Sequence, residues 1–300
     1  MGSRIAVLAA LVVLTSGLAA AQEQAASLPL SQLVRETVEN EIRSNNGNAR
    51  FVFKDYKQTP HGSQVRLIVE TGQGTAGMLV AENEKTLTPE QQQAEEAHLA
   101  GLAHDPGELR KKQKSEREDS EHSNRIMKAL PDAFIFQPDG KETGTEGIGN
   151  PGDELVRLKF RPNPKYSPPT HTEQVLTGMS GYVLIDANRK RIAKIDGTLF
   201  KEVGFGWGIL GRLDRGGRFV VQQGTVKGNY WEITRMDLSF TGKELLFKKL
   251  LIKSSECFSD FRPAPSDLTF AQAVEFLKKQ ESELAENHQQ SGGAENHDPR

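Results

Sequence analysis

The chain predicts an α+β fold: a curved antiparallel sheet of eight or more strands, carrying an N-terminal helix, an inserted helical hairpin and a C-terminal helix. Three observations lead there. Short alternating apolar and polar segments fill the second half of the chain, and turn residues rather than helices separate them, so neighbouring strands pair antiparallel. Helical periodicity is confined to residues 28–46, 88–130 and 267–284. No strand–helix–strand unit recurs, which excludes a parallel doubly wound sheet.

The first 21 residues stand apart from the fold. Arg4, an apolar run from Ile5 to Leu14 and Ala19-Ala20-Ala21 before Gln22 have the order of a secretory signal peptide. Cleavage would leave residues 22–300, of which 22–286 read as one domain, and would move the net charge from −2 to −3 by removing Arg4. The apolar run is too short to span a bilayer comfortably, and no later segment is long and apolar enough, so membrane contact is expected to be peripheral at most. A slightly acidic chain offers no electrostatic footprint for nucleic acid. The sole cysteine, Cys257, can form no internal disulfide and reads as a small buried hydrophobe.

The first helix, "LPLSQLVRETVENEIRSNN", places Leu30, Leu33, Val34, Val38 and Ile42 close to a 3–4 spacing and stops at Asn45-Asn46-Gly47. "ARFVFKDYKQ" and "GSQVRLIVETG" then alternate as the two strands of a hairpin, with His61-Gly62 at the turn. Thr88-Pro89-Glu90-Gln91 starts a helix with capping-box spacing and proline at its first position. Asp105-Pro106-Gly107 breaks it, and a second, highly charged helix runs to Leu130-Pro131. This hairpin, about 88–130, reads as a solvated surface, with a protein-contact surface as the alternative.

Six strand-like segments follow: "ELVRLKFRP", "EQVLTGMSGYVLIDA", "KRIAKIDGTLFKEV", "RFVVQQGTVKG", "YWEITRMDLSFTG" and "ELLFKKLLIKSSECF". The Gly-rich 137–154 stretch reads as a mobile loop, and the four prolines of 160–175 as a rigid connector. After the last helix, the polar stretch 287–300 is expected to be disordered.

One motif invites a cofactor. "GWGILG" supplies Gly206, Gly208 and Gly211 in a G-x-G-x-x-G pattern, with Glu232 at about the distance of a ribose-binding acid. The glycines cradle a pyrophosphate only where a helix begins behind them. Here "RLDRGG" and then the strand "RFVVQQ" follow, so the segment reads as a strand closed by an Asp214–Gly217 hairpin. No nucleotide or other cofactor is expected. His98 and His104 lie six apart, too far round a helix to share a metal, and no nucleophile elbow or phosphate loop is present. The expectation is a non-enzymatic binding protein, although carboxylate pairs assembled by the fold are not legible at this level.

The helix "SLPLSQLVRETVENEIR" leading into "FVFKDYKQ", and the hairpin run "LTGMSGYVLIDANRKRIAKIDGTL", give an order of elements that resembles the periplasmic lipoprotein-carrier superfamily. The resemblance covers most of residues 28–255 as a pattern of elements. It implies an unclosed antiparallel half-barrel, helices over its concave side, a periplasmic location, and an apolar cavity for lipid or a lipid-modified protein. The alternating strands supply candidates for such a lining: Val183 and Ile185; Phe205, Trp207 and Ile209; Phe219 and Val221; Trp231 and Ile233; Leu238 and Phe240. For each, ordinary core packing is the competing reading. The competing function is an envelope scaffold that binds a protein partner through the charged hairpin.

Overall fold

Helix α1 (Leu30–Asn45) carries its apolar stripe as the spacing requires, with Leu33, Val34 and Val38 buried. The computed structural model describes residues 30–45, 49–205, 211–227, 230–244 and 248–292, with side chains described through residue 282. The expected leader, the Gly206–Leu210 segment and residues 293–300 lie outside the described residues.

Four strands follow α1: β1 (Phe51–Thr59), β2 (Gly62–Thr71), β3 (Gly74–Glu82) and the two-residue β4 (Lys85–Thr86). The expected hairpin is therefore a longer meander. Gly74, Thr75, Ala76 and Gly77 give β3 little hydrophobic amplitude, which hides its alternation; Ala76 and Met78 are nevertheless buried. Helix α2 (Pro89–His104) begins with the expected capping box, Thr88 bonding reciprocally with Gln91. Asp105 caps α3 (Pro106–Ala133) by accepting from the N–H groups of Gly107 and Glu108. Pro131 does not end α3, which continues to Ala133.

The second half holds β5 (Phe134–Thr143), β6 (Glu154–Pro162), a short helix α4 (His171–Gln174) with a 3₁₀ turn over Val175–Gly178, β7 (Met179–Asp186), β8 (Arg191–Leu199), β9 (Val203–Phe205) and β10 (Gly211–Leu213). Then come β11 (Arg218–Val226), β12 (Tyr230–Glu244), β13 (Lys248–Pro263) and α5 (Phe270–Gly292), whose backbone stays helical past the expected end at Leu284.

Among the described residues these strands form one 13-stranded antiparallel sheet, not closed into a barrel; eleven run in the order β4-β3-β2-β1-β13-β12-β11-β8-β7-β6-β5, and β9 and β10 lie off that path. The antiparallel expectation holds, with more strands than the minimum of eight. Pairing of β1 with β13 joins the two ends of the chain in mid-sheet. Five ladders contain register shifts, at Val52/Lys54, Val65/Arg66, Pro138/Lys141, Leu184/Ile185 and Gln222/Gln223. Each such bulge bends a strand and increases its twist, which gives the sheet its curvature.

Two expectations are corrected. Asp214–Gly217 is not a hairpin turn: β10 pairs with β9 and with Gly242–Glu244 of β12, while β11 pairs with the Tyr230–Ser239 part of the same strand. The 137–154 stretch is not a free loop. Its first half belongs to β5, and Gly149 bridges Gly224, donating to the Gln223 carbonyl at 2.8 Å and accepting from Thr225 at 3.1 Å. Thr234 pins the same segment by donating to the Gly147 carbonyl at 2.6 Å. Glycine and polar composition signalled a loop because this segment makes its backbone bonds to a distant strand.

Directly opposed residues in an antiparallel sheet share a face. Following the partners Phe136–Phe160, Leu158–Val183, Val183–Ile195, Val221–Met236, Phe219–Leu238 and Phe240–Ile252 traces one apolar face from β5 to β13. Tyr182, Asp196, Val220, Asp237 and Ser255 are partners on the other face, which is polar. Helix α1 packs on the apolar face against Leu158, Val183, Ile185 and Ile192. Burial of each such side chain contributes about 1.5–3 kcal/mol. The C-terminal part of α3, through Ile126, Ala129 and Leu130, covers Phe134, Phe160 and Met179. Helices α2 and α5 form a separate core with Val52, Leu67, Val69 and Met78 on β1–β3.

Candidate ligand-binding cavity

The apolar face is not completely filled. Between the sheet and its covering helices lies a cavity of about 760 Å³, within the roughly 300–1,000 Å³ usual for ligand sites. Val34 and Val38 of α1 and Ile126, Met127 and Leu130 of α3 face it from the helices. From the sheet, Val183, Ile185, Phe205, Phe219, Val221, Trp231, Ile233, Leu238 and Phe240 contribute to its wall. These are nine of the eleven residues nominated from alternation; Trp207 and Ile209 lie outside the described residues.

The nine are not equivalent. Val183 and Ile185 are nearly fully buried beneath α1, so their core role and their place in the wall coincide. Trp231 is largely core. Its indole packs with Leu155, Leu184 and Ala193 near the place where β8 and β11 part, and its N–H donates to the Ile192 carbonyl at 3.0 Å. Phe219 and Phe240 lie against glycines: a Cβ on Gly197 would meet the Phe219 ring at 2.3 Å, and one on Gly217 the Phe240 ring at 2.4 Å. Ile233 is 41% exposed and its neighbour in the wall, Ile252, 38%. Together they give the cavity an apolar open side.

The wall also carries polar residues: His122, Ser123, His171 and Thr172 from α3 and α4, and Thr37, Gln223 and Glu232 from α1, β11 and β12. Thr37 is completely buried, and its hydroxyl has no hydrogen-bond partner. One helical turn further along α1, the buried Glu41 takes a bidentate bond from Arg191, with Nε at 2.9 Å and Nη2 at 3.0 Å, and accepts the Ile192 N–H at 2.6 Å. Arg191 also donates to the Trp231 carbonyl at 3.4 Å and stands over the indole ring at 5.6 Å. Burial, reinforced by the negative charge of Glu70, pushes the Glu232 carboxyl up to about 7; Arg191 pulls it down and Glu41 raises it. Glu70, which accepts the Phe51 N–H at 3.0 Å, is itself raised by burial.

Sequence reasoning weighed Glu232 only as a partner of the glycine motif, and the structure gives it a different setting. Gly211 opens β10, so a strand and not a helix follows the motif. Thr37 and Glu41 passed unremarked, although a signal existed: both fall at helical spacing within the apolar stripe of Leu33, Val34, Val38 and Ile42. Among the described residues, no three His, Cys, Asp or Glu side chains form a metal-holding group. Cys257 is half-buried beside Arg235, whose Nη1 lies 3.5 Å from its Sγ.

The charges of the α2–α3 hairpin are largely satisfied within it or against the sheet. Lys111–Glu108, Lys112–Glu116 and Lys114–Glu118 pair along α3, and Glu116 also accepts the Thr75 N–H. The polar sheet face is likewise cross-linked, by Arg218–Asp196 and Arg235–Asp237.

Fold and site together define an unclosed, curved antiparallel sheet with a helix-covered, largely apolar cavity that carries a few polar groups in its wall. No protein-family model matches the chain, and no curated protein matches it. Among solved structures, a DUF1329 family protein from Desulfovibrio piger matches with 9% sequence identity and a TM-score of 0.28, covering 83% of this chain and 99% of that one. No functional inference follows from a likeness at that level. No helix among the described residues is long and apolar enough to cross a membrane.

Proposed function

We propose that the protein is a non-enzymatic, exported carrier or sensor that holds the acyl chain of a lipid or lipid-modified protein in this cavity. The observation that carries the reading is the continuous apolar wall from β7 to β12 beneath α1 and α3, unfilled over about 760 Å³ and apolar at its open side. The leader-like residues 1–21 support export to a periplasm. An acyl chain gains about 0.8 kcal/mol for each CH₂ it buries, and association itself costs roughly 4–15 kcal/mol. A long chain therefore leaves a binding surplus and a short one leaves none.

The test is mass spectrometry of the protein extracted from its native envelope, together with titration of a fluorescent fatty-acyl probe. Co-purified lipid and saturable, competable probe binding are expected. Ile233→Asp, at the exposed side of the wall, is expected to abolish binding while the melting curve stays cooperative. A protein that carries no lipid and takes up no probe is not a carrier.

A further inference from the structure

Native proteins bond nearly all of their buried polar groups, so an exception within a cavity wall points to something that completes it. The Thr37 hydroxyl, fully buried without a partner, is such an exception, and Gln223 and Glu232 line the same cavity. Gln223 is 7% exposed and lines the same wall, and neither its amide nor the Glu232 carboxyl makes a hydrogen bond among the described residues. Between them they offer donors as well as acceptors.

The charges nearby decide which head group fits. Glu70, Glu41 and Arg191 are the charged groups that face Glu232. Arg191 has its guanidinium committed to both oxygens of Glu41 and to the Trp231 carbonyl. Beside Glu232 a carboxylate or phosphate would therefore meet the Glu232, Glu70 and Glu41 carboxyl groups, with the Arg191 charge already paired to Glu41. An ammonium head only donates, which leaves the Gln223 amide N–H groups without an acceptor. A hydroxyl, ester or amide head both donates and accepts, or accepts from the two donors present, and brings no charge into a desolvated wall.

We infer that Thr37, Gln223 and Glu232 form a head-group subsite, and that the cavity takes single-chain amphiphiles with an uncharged, hydrogen-bonding head in preference to fatty acids. The inference rests on the reading of the cavity as an acyl-chain site. Free acylglycerols and the ester-linked lipid of a modified protein share this head chemistry.

The experiment titrates the full-length protein at pH 8 with monolauroylglycerol, laurate and dodecylamine, three probes with the same 12-carbon chain, each below its critical micelle concentration. Monolauroylglycerol is expected to bind at least tenfold more tightly than either charged probe. Thr37→Val is expected to raise the melting temperature of the unliganded protein and to weaken monolauroylglycerol threefold or more. A hydroxyl with a purely structural role would not produce that opposed pair of effects. Glu232→Gln is expected to bring laurate within threefold of monolauroylglycerol, and it tests the subsite independently of the behaviour of Thr37→Val. Equal affinities for all three probes, unchanged in both variants, would overturn the subsite and leave the acyl-chain cavity standing. Tighter binding of laurate or dodecylamine would overturn it as well. Failure of every probe to bind would remove the cavity reading and the subsite with it.

Discussion

Arg191 grips both carboxylate oxygens of Glu41, at 2.9 and 3.0 Å, and so ties the C-terminal part of the roof helix α1 to the start of β8 beneath it. Glu41 is 1% exposed and also holds the Ile192 N–H. Breaking a buried pair leaves an uncompensated charge, at a cost of about 3–5 kcal/mol. Arg191→Met is expected to lower the melting temperature by on the order of 10 °C. Glu41→Gln combined with Arg191→Met should cost less than the sum of the single changes, because neither charge is then stranded. Thermal melts of the three variants check this, and additive losses would mean that the two side chains act independently.

Glu232 gives the fold a pH dependence with a definite sign. The folded chain keeps this proton up to about pH 7, the unfolded chain only to its ordinary value of 4.5. The folded state therefore binds more protons across that window, and the contribution is fully present below about pH 4.5 and is lost as pH rises through 7. Glu232→Gln is expected to flatten this decline. It should stabilise the protein at pH 8 by about 1–2 kcal/mol, less than the full shift because the carboxyl is partly solvated. Urea midpoints of both proteins at pH 5 and pH 8 measure the difference, and a wild type that gains stability between those values would contradict the assignment.

Phe219 keeps its place in the wall because Gly197 beneath it has no side chain. Alanine there puts a methyl 2.3 Å from the ring and drives the ring into the cavity. Gly197→Ala is expected to destabilise by about 1–3 kcal/mol and to shorten the longest acyl chain that binds. Affinity measured across a series of chain lengths reads both the capacity and its loss. In the wild type each added CH₂ should tighten binding about fourfold until the cavity is full.

The Gly147–Gly149 segment is stitched to β11 and β12 through Gly149–Gln223, Thr225–Gly149 and Thr234–Gly147 bonds. The amides of Gly149 and Thr225 are therefore expected to exchange slowly with deuterium, as sheet amides do. Gly149→Ala, at φ +73° and with Leu155 side-chain atoms 3.1 Å from the new methyl, should release the segment and speed exchange at both sites. Fast exchange in the wild type would return this stretch to the status of a loop.

The sequence by itself determined the fold class, the antiparallel pairing of neighbouring strands and the capped helical hairpin. These depend on local signals: side-chain alternation with a period of two, a 3–4 apolar stripe, and turn or capping residues a few positions apart. Alternation also nominated nine residues of the cavity wall, since residues of one strand that share parity share a face. What only the tertiary structure decided depends on partners far away in the chain. The pairing of β1 with β13, the docking of Gly149 beside Gly224, and the presence of Thr37 in one cavity wall with Gln223 and Glu232 bring together residues about 75 to 210 positions apart. No periodicity encodes a backbone bond to a distant strand. Nor does a buried threonine announce that its hydroxyl lacks a partner until the residues around it have been placed.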